Sequence, residues 1–260
     1  MPDDKDKYVL ARIMMRAALP LAKVLIEDDP KMKKKFEGFN AVVQFEVKGY
    51  DDLVTVMNFI DGVVDFSFTR HENPDVNFVF KNPGQLNKFF GGKVAMPVIK
   101  GMFKLGIVLK VVPLLLGLTL LLPTKKPKDP AKQYLKVKLL FYMLSSALSQ
   151  MNKAGDEEFV ELCEKMPDRI IQWSCPPDGP YAYLRIKYGK TKAGRGLYAR
   201  KKPFIDMQFN GVDSAIKVLT NELDLVDAVR YGHLVQVGSP EYGAKLGSYM
   251  LKIDKWIQEA

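Results

Sequence analysis

The chain has few of the residues that build disulfide frameworks and metal sites. Among its 260 residues there are two cysteines and two histidines. Cys163 and Cys175 are too few for a disulfide framework, and their spacing of twelve matches no metal-binding motif. Reduced thiols are typical of a cytoplasmic protein. We expect neither a bound metal nor a cofactor.

Catalytic constellations are equally scarce. His71 lies in a polar turn and His233 on a predicted strand, and no spacing favours a Cys–His or Ser–His–Asp site. Gly101 and Gly106 have the spacing of a phosphate-binding loop. The Lys-Ser/Thr pair that completes such a loop is absent, because Ile107-Val108 follows. The sequence therefore predicts a protein that is not an enzyme.

The first residues also lack a secretion signal. Residues 1–7 are polar and mostly charged, without the basic region and cleavage site of a signal peptide. We expect a cytoplasmic protein, and peripheral association with membranes remains an alternative.

Positive charge is plentiful and unevenly spread. The net charge is +9. Three basic clusters could each meet anionic lipid headgroups, or they could be solvated faces and a linker. No recognised nucleic-acid-binding module frames them, so we expect no nucleic-acid partner. The clusters are Lys31, Lys33, Lys34 and Lys35; Lys125, Lys126, Lys128, Lys132, Lys136 and Lys138; and Lys190, Lys192, Arg195, Arg200, Lys201 and Lys202.

One structural unit occurs twice along the chain. Two helical stretches precede Ala41–Phe45 in the first copy and Arg169–Trp173 in the second. Further on, Gly101 corresponds to Gly238, so a few small insertions or deletions and one larger one separate the copies. We predict an N-terminal domain over residues 1–122, a linker rich in proline and lysine over residues 123–130, and a C-terminal domain over residues 131–260.

Hydrophobic periodicity and turn signals predict the same element order in both copies. A helix from Tyr8 to about Asp28 should be kinked at Pro20, and further helices are expected at Lys31–Glu37, Gln85–Phe90, Lys132–Gln150, Glu157–Lys165, Val212–Leu219 and after Ser239. The predicted strands are Ala41–Val47, Leu53–Phe59, Val63–Thr69, Val76–Phe80 and Val94–Ile99, then Arg169–Ser174, Ala182–Tyr188, Lys192–Tyr198, Phe204–Phe209 and His233–Val237.

This order resembles the sterol carrier protein 2 (SCP2) domain, taken twice. The residues that carry the resemblance are Asp61-Gly62, Pro74-Asp75-Val76, Leu86–Lys93 and Gly232–Gly238. The resemblance implies an α+β fold in which each five-stranded sheet is covered by helices on one face. It also implies an apolar tunnel between sheet and helices. Members of the family bind sterols, fatty acyl chains, acyl-CoA or isoprenoid lipids, and some are accessory domains of enzymes.

Leu105–Leu122 is the most unusual segment, because its eighteen residues contain a single charge, Lys110. It could span a membrane, although Lys110 and Pro113 argue against that. It could be a core helix. We favour a helix whose inner face meets a bound lipid, because the corresponding helix of the second copy is amphipathic.

The sequence thus predicts a non-catalytic lipid carrier with one main pocket, in the first copy. Its ligand would be a sterol, fatty acyl, acyl-CoA or isoprenoid lipid, and an anionic membrane surface is a further candidate partner. The alternative is an accessory module with filled cores that supports a lipid- or quinone-metabolising enzyme. The predicted lipid-binding residues are Phe89, Phe90, Met96, Ile99, Met102, Phe103, Leu105, Ile107, Leu109, Val112, Leu115, Leu116, Leu246 and Met250.

Overall fold

The computed structural model describes residues 4–259 and contains two compact units. One unit comprises residues 4–119 together with residues 255–259, and the other comprises residues 120–254. The division after residue 119 lies close to the end of the predicted N-terminal domain. The last residues of the chain are grouped with the first unit, which the sequence did not suggest.

The first unit follows the predicted order of elements. The long N-terminal helix consists of α1, Asp4–Ile13, a π-helical turn, Met14–Ala18, a 3-10 turn, Leu19–Leu21, and α2, Ala22–Asp28. The elements after it are α3, Pro30–Phe36; β1, Ala41–Val47; β2, Val54–Ile60; β3, Val63–Ser67; β4, Val76–Phe80; α4, Pro83–Phe90; β5, Val98–Lys100; α5, Leu105–Gly117; and a 3-10 turn, Leu118–Leu121.

The second unit repeats this order with one additional helix. Its elements are α6, Pro130–Lys153; α7, Glu157–Lys165; β6, Arg169–Ser174; β7, Tyr181–Lys187; β8, Lys190–Arg195; β9, Ile205–Phe209; α8, Gly211–Leu219; α9, Leu225–Arg230; β10, Leu234–Gly238; and α10, Pro240–Glu259. Helix α9 was not predicted, since six residues are too few for a helical period to emerge. Asp224 caps it by accepting hydrogen bonds from the N–H groups of Val226 and Asp227.

The two sheets have the same topology. Their strand orders are β3-β2-β1-β4-β5 and β8-β7-β6-β9-β10. In each sheet the two central strands, β1 with β4 and β6 with β9, are parallel, and the other pairs are antiparallel. The mixed α+β class with two five-stranded sheets is therefore confirmed, and both copies use one strand order.

Helices cover one face of each sheet. In the first unit the Thr55 hydroxyl of β2 donates to the Met15 carbonyl oxygen at 2.9 Å. In the second unit Thr191 of β8 lies 3.2 Å from the Ser149 hydroxyl of α6. The predicted kink at Pro20 is confirmed as the 3-10 turn, because proline lacks the N–H that a regular helix needs there.

Aromatic side chains pack against each other in both cores. The Phe45 and Phe78 rings stack at 4.7 Å in the first unit, and the Phe141 and Phe209 rings lie 5.4 Å apart in the second. Trp173 of β6 is also fully buried. Such cores are close-packed, which limits the space that an enclosed ligand can occupy.

The matched glycines occupy the same turn in both units. Gly101 follows β5 with φ +79°, and Gly238 ends β10 with φ +108°. A Cβ atom at Gly101 would lie 2.2 Å from the Asp75 carbonyl oxygen, and at Gly238 it would lie 2.0 Å from the Phe204 carbonyl oxygen. Only glycine permits this approach of the turn to the start of the neighbouring strand.

Candidate lipid-binding surface

A continuous stretch of the first unit exposes large apolar side chains. We call residues 94–116 the apolar segment. Phe103 is fully exposed at 101% and Val94 at 99%, which is unusual for residues of their size. Clustered exposure of this kind marks sites of interaction with a partner or a membrane. The exposed members are Val94, Met96, Val98, Met102, Phe103, Leu105, Leu109, Val112 and Leu116.

The local backbone explains this exposure. Strand β5 is three residues long and lies at the sheet edge, where β4 is its only neighbour. After it the chain turns at Gly101, and the N–H of Lys104 donates to the Gly101 carbonyl oxygen at 3.0 Å. This tight turn leaves Met102 and Phe103 in solvent immediately before α5 begins.

Helix α5 has two apolar faces. One face is buried and contains Val111, Leu114 and Leu118, the last in the 3-10 turn that follows the helix. The other face is exposed, with residues spaced four, three and four positions apart, as expected for one side of a helix. Its members are Leu105, Leu109, Val112 and Leu116.

The structure bears on two of the alternatives for Leu105–Leu122, the membrane span and the core helix. A core helix accounts for one face only. At 13 residues α5 is about 20 Å long, against roughly 30 Å of bilayer hydrocarbon. Within residues 4–259 no helix is both long and apolar enough to cross a membrane. The Lys110 ammonium lies 4.7 Å from the centre of the Phe39 ring, which explains how one cation fits this helix.

The charged residues within the apolar segment and next to it along the chain have one sign. No acidic residue occurs between Lys93 and Lys128. Lys93 and Lys100 are exposed, and the Lys104 ammonium lies 2.5 Å from the Asp75 carboxylate. The hydrogen bond from Lys104 lowers the pKa of Asp75, which also accepts the N–H of Val42 at 2.7 Å. The exposed apolar residues are therefore bordered by cations.

The predicted binding residues divide into three groups. Seven are exposed at the surface, and five are half-buried. The remaining two, Leu246 and Met250, belong to the second unit. The seven exposed residues are Met96, Met102, Phe103, Leu105, Leu109, Val112 and Leu116, and the half-buried ones are Phe89, Phe90, Ile99, Ile107 and Leu115. Half of the set thus faces solvent, and its lipid binding stays a prediction.

Sequence reasoning missed two members of the surface. Val94 and Val98 are exposed beside Met96, and β5 begins only at Val98, whereas a strand interrupted by Pro97 was predicted over Val94–Ile99. Pro97 explains the late start of β5, because proline within sheets is confined to strand edges, first residues and bulges. One basic residue also differs from expectation. Lys136, counted in the second basic cluster, is fully buried instead of facing lipid headgroups.

Lys136 is held inside the second unit by backbone oxygens. Its ammonium donates to the carbonyl oxygens of Leu120 and Leu122, both at 2.8 Å. Burial lowers its pKa to about 8, since the charged form loses its hydration. This lysine fastens the start of the second unit to α6.

Polar groups with catalytic potential are sparse in the part of the chain that the structure describes. The Ser214 hydroxyl lies 2.9 Å from His233 Nδ1, but no carboxylate within residues 4–259 is hydrogen-bonded to that ring. Burial raises the pKa of Cys163 and of Cys175 to about 12, so neither thiol is an activated nucleophile. Over the same residues, no three His, Cys, Asp or Glu side chains are grouped to hold a metal ion.

Comparison with known proteins gives structural similarities of low strength. No protein-family model and no curated protein matches the chain. The solution NMR structure of palmitated SCP2L2 from Aedes aegypti is 14% identical, covers 41% of this chain and 90% of that chain, and has a TM-score of 0.29. The crystal structure of sterol carrier protein 2 like 2 from the same organism is 16% identical, covers 38% and 96%, and has a TM-score of 0.25.

An enzyme is among the similar structures as well. The sec-alkylsulfatase Pisa1 from Pseudomonas sp. is 12% identical, with a TM-score of 0.26. The match covers 56% of this chain and 28% of that chain, so a little over half of this chain matches about a quarter of the sulfatase. Identities and TM-scores this low assign neither a family nor an activity. The SCP2 resemblance remains a prediction from the sequence.

Proposed function

We propose that the protein is a non-catalytic lipid-binding protein that contacts lipid through the apolar segment. The observation that supports this most directly is the exposure of Phe103 beside Met102 and Leu105, in a stretch without acidic residues. Soluble proteins rarely leave so many large apolar side chains in water unless something covers them in use.

The energetics favour contact with lipid. Full burial of a large apolar side chain contributes about 1.5–3 kcal/mol. Transfer of Phe103, Leu105 and Leu109 into hydrocarbon would thus contribute several kcal/mol. Lys93 and Lys100 add about 1 kcal/mol each near an anionic surface. Immobilisation and ordering oppose these terms, which leaves reversible binding.

The ligand class follows from the apolar character of the surface. It offers few polar groups that could recognise a headgroup, so it suits an extended hydrophobic molecule such as a fatty acyl chain, a sterol or an isoprenoid. Leu105, Leu109, Val112 and Leu116 form a straight ridge along α5 against which such a chain could lie. Without polar selection, we expect broad specificity among these lipids.

Two measurements test the proposal. Purified protein should sediment with phosphatidylcholine vesicles that contain phosphatidylserine, and less with phosphatidylcholine alone. It should also quench or shift a fluorescent fatty acid, and unlabelled palmitate should compete. If the protein neither sediments with the vesicles nor binds the fatty acid, the proposed lipid binding is wrong.

A second function is supported by the close contacts between aromatic side chains in both cores. The exposed side chains of α5 have the spacing of a helix that docks into a groove of another protein. The protein would then be an accessory module of a lipid- or quinone-metabolising enzyme. It would bind neither vesicles nor fatty acid, while substitution of Phe103 would weaken association with that enzyme.

A further inference from the structure

The sheet of the second unit carries a pocket of a different character. It has a volume of about 310 Å³, at the lower end of the range for small-ligand sites. Its wall consists mainly of tyrosines and cationic side chains. These are Tyr183, Arg185, Lys192, Tyr198 and Arg200, and Leu197 and Ala199 complete the wall; we call this the cationic pocket.

Strand geometry places the pocket on the face away from α6. Along β7 the residues Ala182, Leu184 and Ile186 are fully buried, so Tyr183 and Arg185 between them point to the opposite face. The β7–β8 register sets Arg185 directly opposite Lys192 and Tyr183 opposite Gly194.

The aromatic part of the pocket is held in place. A Cβ atom at Gly194 would lie 2.0 Å from Cζ of Tyr183, so the Tyr183 ring lies directly on this glycine. The Tyr198 ring meets it edge to face, with centroids 4.9 Å apart. The N–H of Tyr198 donates to the Gln172 side-chain oxygen at 3.1 Å, which fixes the loop above the sheet. The wall is therefore formed before any ligand arrives.

The charges in and around the pocket are unbalanced. Arg185 and Lys192 face each other across two strands, where like charges repel. Asp168 accepts two hydrogen bonds from Arg185, both at 2.8 Å, and also pairs with Lys201 at 3.2 Å. The hydrogen bonds from Arg185 hold the pKa of Asp168 well below its usual range. One carboxylate thus serves two of the cations.

The other two cations have no such partner. Over residues 4–259 no carboxylate pairs with Lys192 or with Arg200. Both are exposed and line the same pocket. Their ammonium and guanidinium groups are available to an anion that also reaches the tyrosine wall.

The first unit shows that the fold does not require these cations. Its loop makes the equivalent hydrogen bond, from the N–H of His71 to the Gln44 side-chain oxygen at 2.8 Å. Gln44 of β1 and Gln172 of β6 occupy equivalent positions in their sheets. Each is the second residue of its strand in the register with the neighbouring parallel strand, β4 or β9. The two loops can therefore be compared residue by residue.

In that register the pair Arg185–Lys192 corresponds to Asn58–Asp65 of the first unit. The position of Tyr183 is occupied by Val56, which is buried. A neutral and an acidic side chain therefore stand where the second unit has two cations. The cationic pocket is a specific feature of the second unit and not a consequence of its topology.

We infer that the cationic pocket binds the phosphate group of a small organic phosphate ester. Lys192 and Arg200 contact the phosphate oxygens, because ammonium and guanidinium form strong charge-assisted hydrogen bonds with phosphate. Tyr183 and Tyr198 contact the organic part. The ester is either a free metabolite or the headgroup of a phosphorylated lipid. This site is independent of the apolar segment.

The test uses one ester in both forms. Isothermal titration calorimetry measures binding of inositol 1,4,5-trisphosphate to the full chain. Sedimentation measures binding to phosphatidylcholine vesicles that contain phosphatidylinositol 4,5-bisphosphate. The test variant is K192Q/R200Q. The matched control, K187Q/K190Q, removes the same charge from the exposed end of the same hairpin.

We expect K192Q/R200Q to weaken binding by about tenfold for each cation, and the control to change it little. If K192Q/R200Q weakens only the binding of inositol 1,4,5-trisphosphate, the ligand is a free ester. If it weakens only the binding to vesicles, the ligand is a lipid headgroup. Absence of binding in both arms, or equal weakening by the control variant, would overturn the inference. Circular dichroism of each variant verifies that the fold is retained.

Discussion

The exposed apolar residues of the first unit permit a direct test of lipid contact. The perturbation is F103S/L109S, which removes two large side chains that are 101% and 69% exposed. Because neither side chain is buried, the free energy of unfolding should change by about 0.5 kcal/mol or less for each. Any larger effect on function must then come from contacts made with a partner outside the chain.

The magnitude follows from the burial of these two side chains in hydrocarbon. At about 1.5–3 kcal/mol each, the pair contributes about 3–6 kcal/mol if both insert fully. Insertion to half that depth still leaves about 2 kcal/mol, which is roughly a thirtyfold change in the partition coefficient. The electrostatic attraction of Lys93 and Lys100 to anionic lipid is unchanged in the variant, so some binding to anionic vesicles should remain.

The assay is sedimentation with phosphatidylcholine–phosphatidylserine vesicles over a range of lipid concentration. The control is V226S/V229S, which removes two exposed apolar residues, 69% and 51% exposed, from α9 of the second unit. Binding should fall in F103S/L109S and stay near that of the unmodified protein in the control. Equal partitioning of both variants would refute a specific role of the apolar segment.

Local patterns predicted most elements, and their limits are physical. Strands β1, β4 and β6 match the expected bounds, since apolar runs ended by turn residues are local signals. Whether an apolar helix face is covered depends on its neighbours in space. The sequence of Leu105–Leu122 therefore showed an excess of apolar surface but not that half of α5 faces solvent.

The cationic pocket also shows that sequence patterns do not reveal which residues become neighbours in space. Lys192 and Arg200 were recognised as members of a basic cluster, but Arg185 and Asp168 were not connected with it. Strand register brings Arg185 opposite Lys192, and a one-residue slip would turn every side chain to the other face. A repeated fold thus carries an apolar surface in one unit and a cationic pocket in the other, a divergence visible only when equivalent positions are compared.

Three further predictions concern stability. G238A should cost about 1–3 kcal/mol more than G232A in urea unfolding, because both glycines have positive φ but only Gly238 would place a Cβ against a carbonyl oxygen; equal costs would contradict the role of that contact. The hydrogen bond from Lys104 lowers the pKa of Asp75 in the folded protein. The ionised Asp75 therefore contributes stability above its unfolded pKa of 3.8, and this contribution is lost as the pH falls through the lower, folded pKa. D75N should therefore lose less stability than the unmodified protein on acidification. Identical acid unfolding curves for the two proteins would argue against a stabilising Asp75–Lys104 pair. For Lys136, the folded pKa of about 8 lies below the unfolded value of 10.5, so the unfolded chain binds more protons between these values and this site makes stability rise with pH across that window. K136M removes the titrating group, so the stability difference between the two proteins should shift by about 3 kcal/mol between pH 7.5 and pH 10.5, and a constant difference would show that the buried amine is not desolvated.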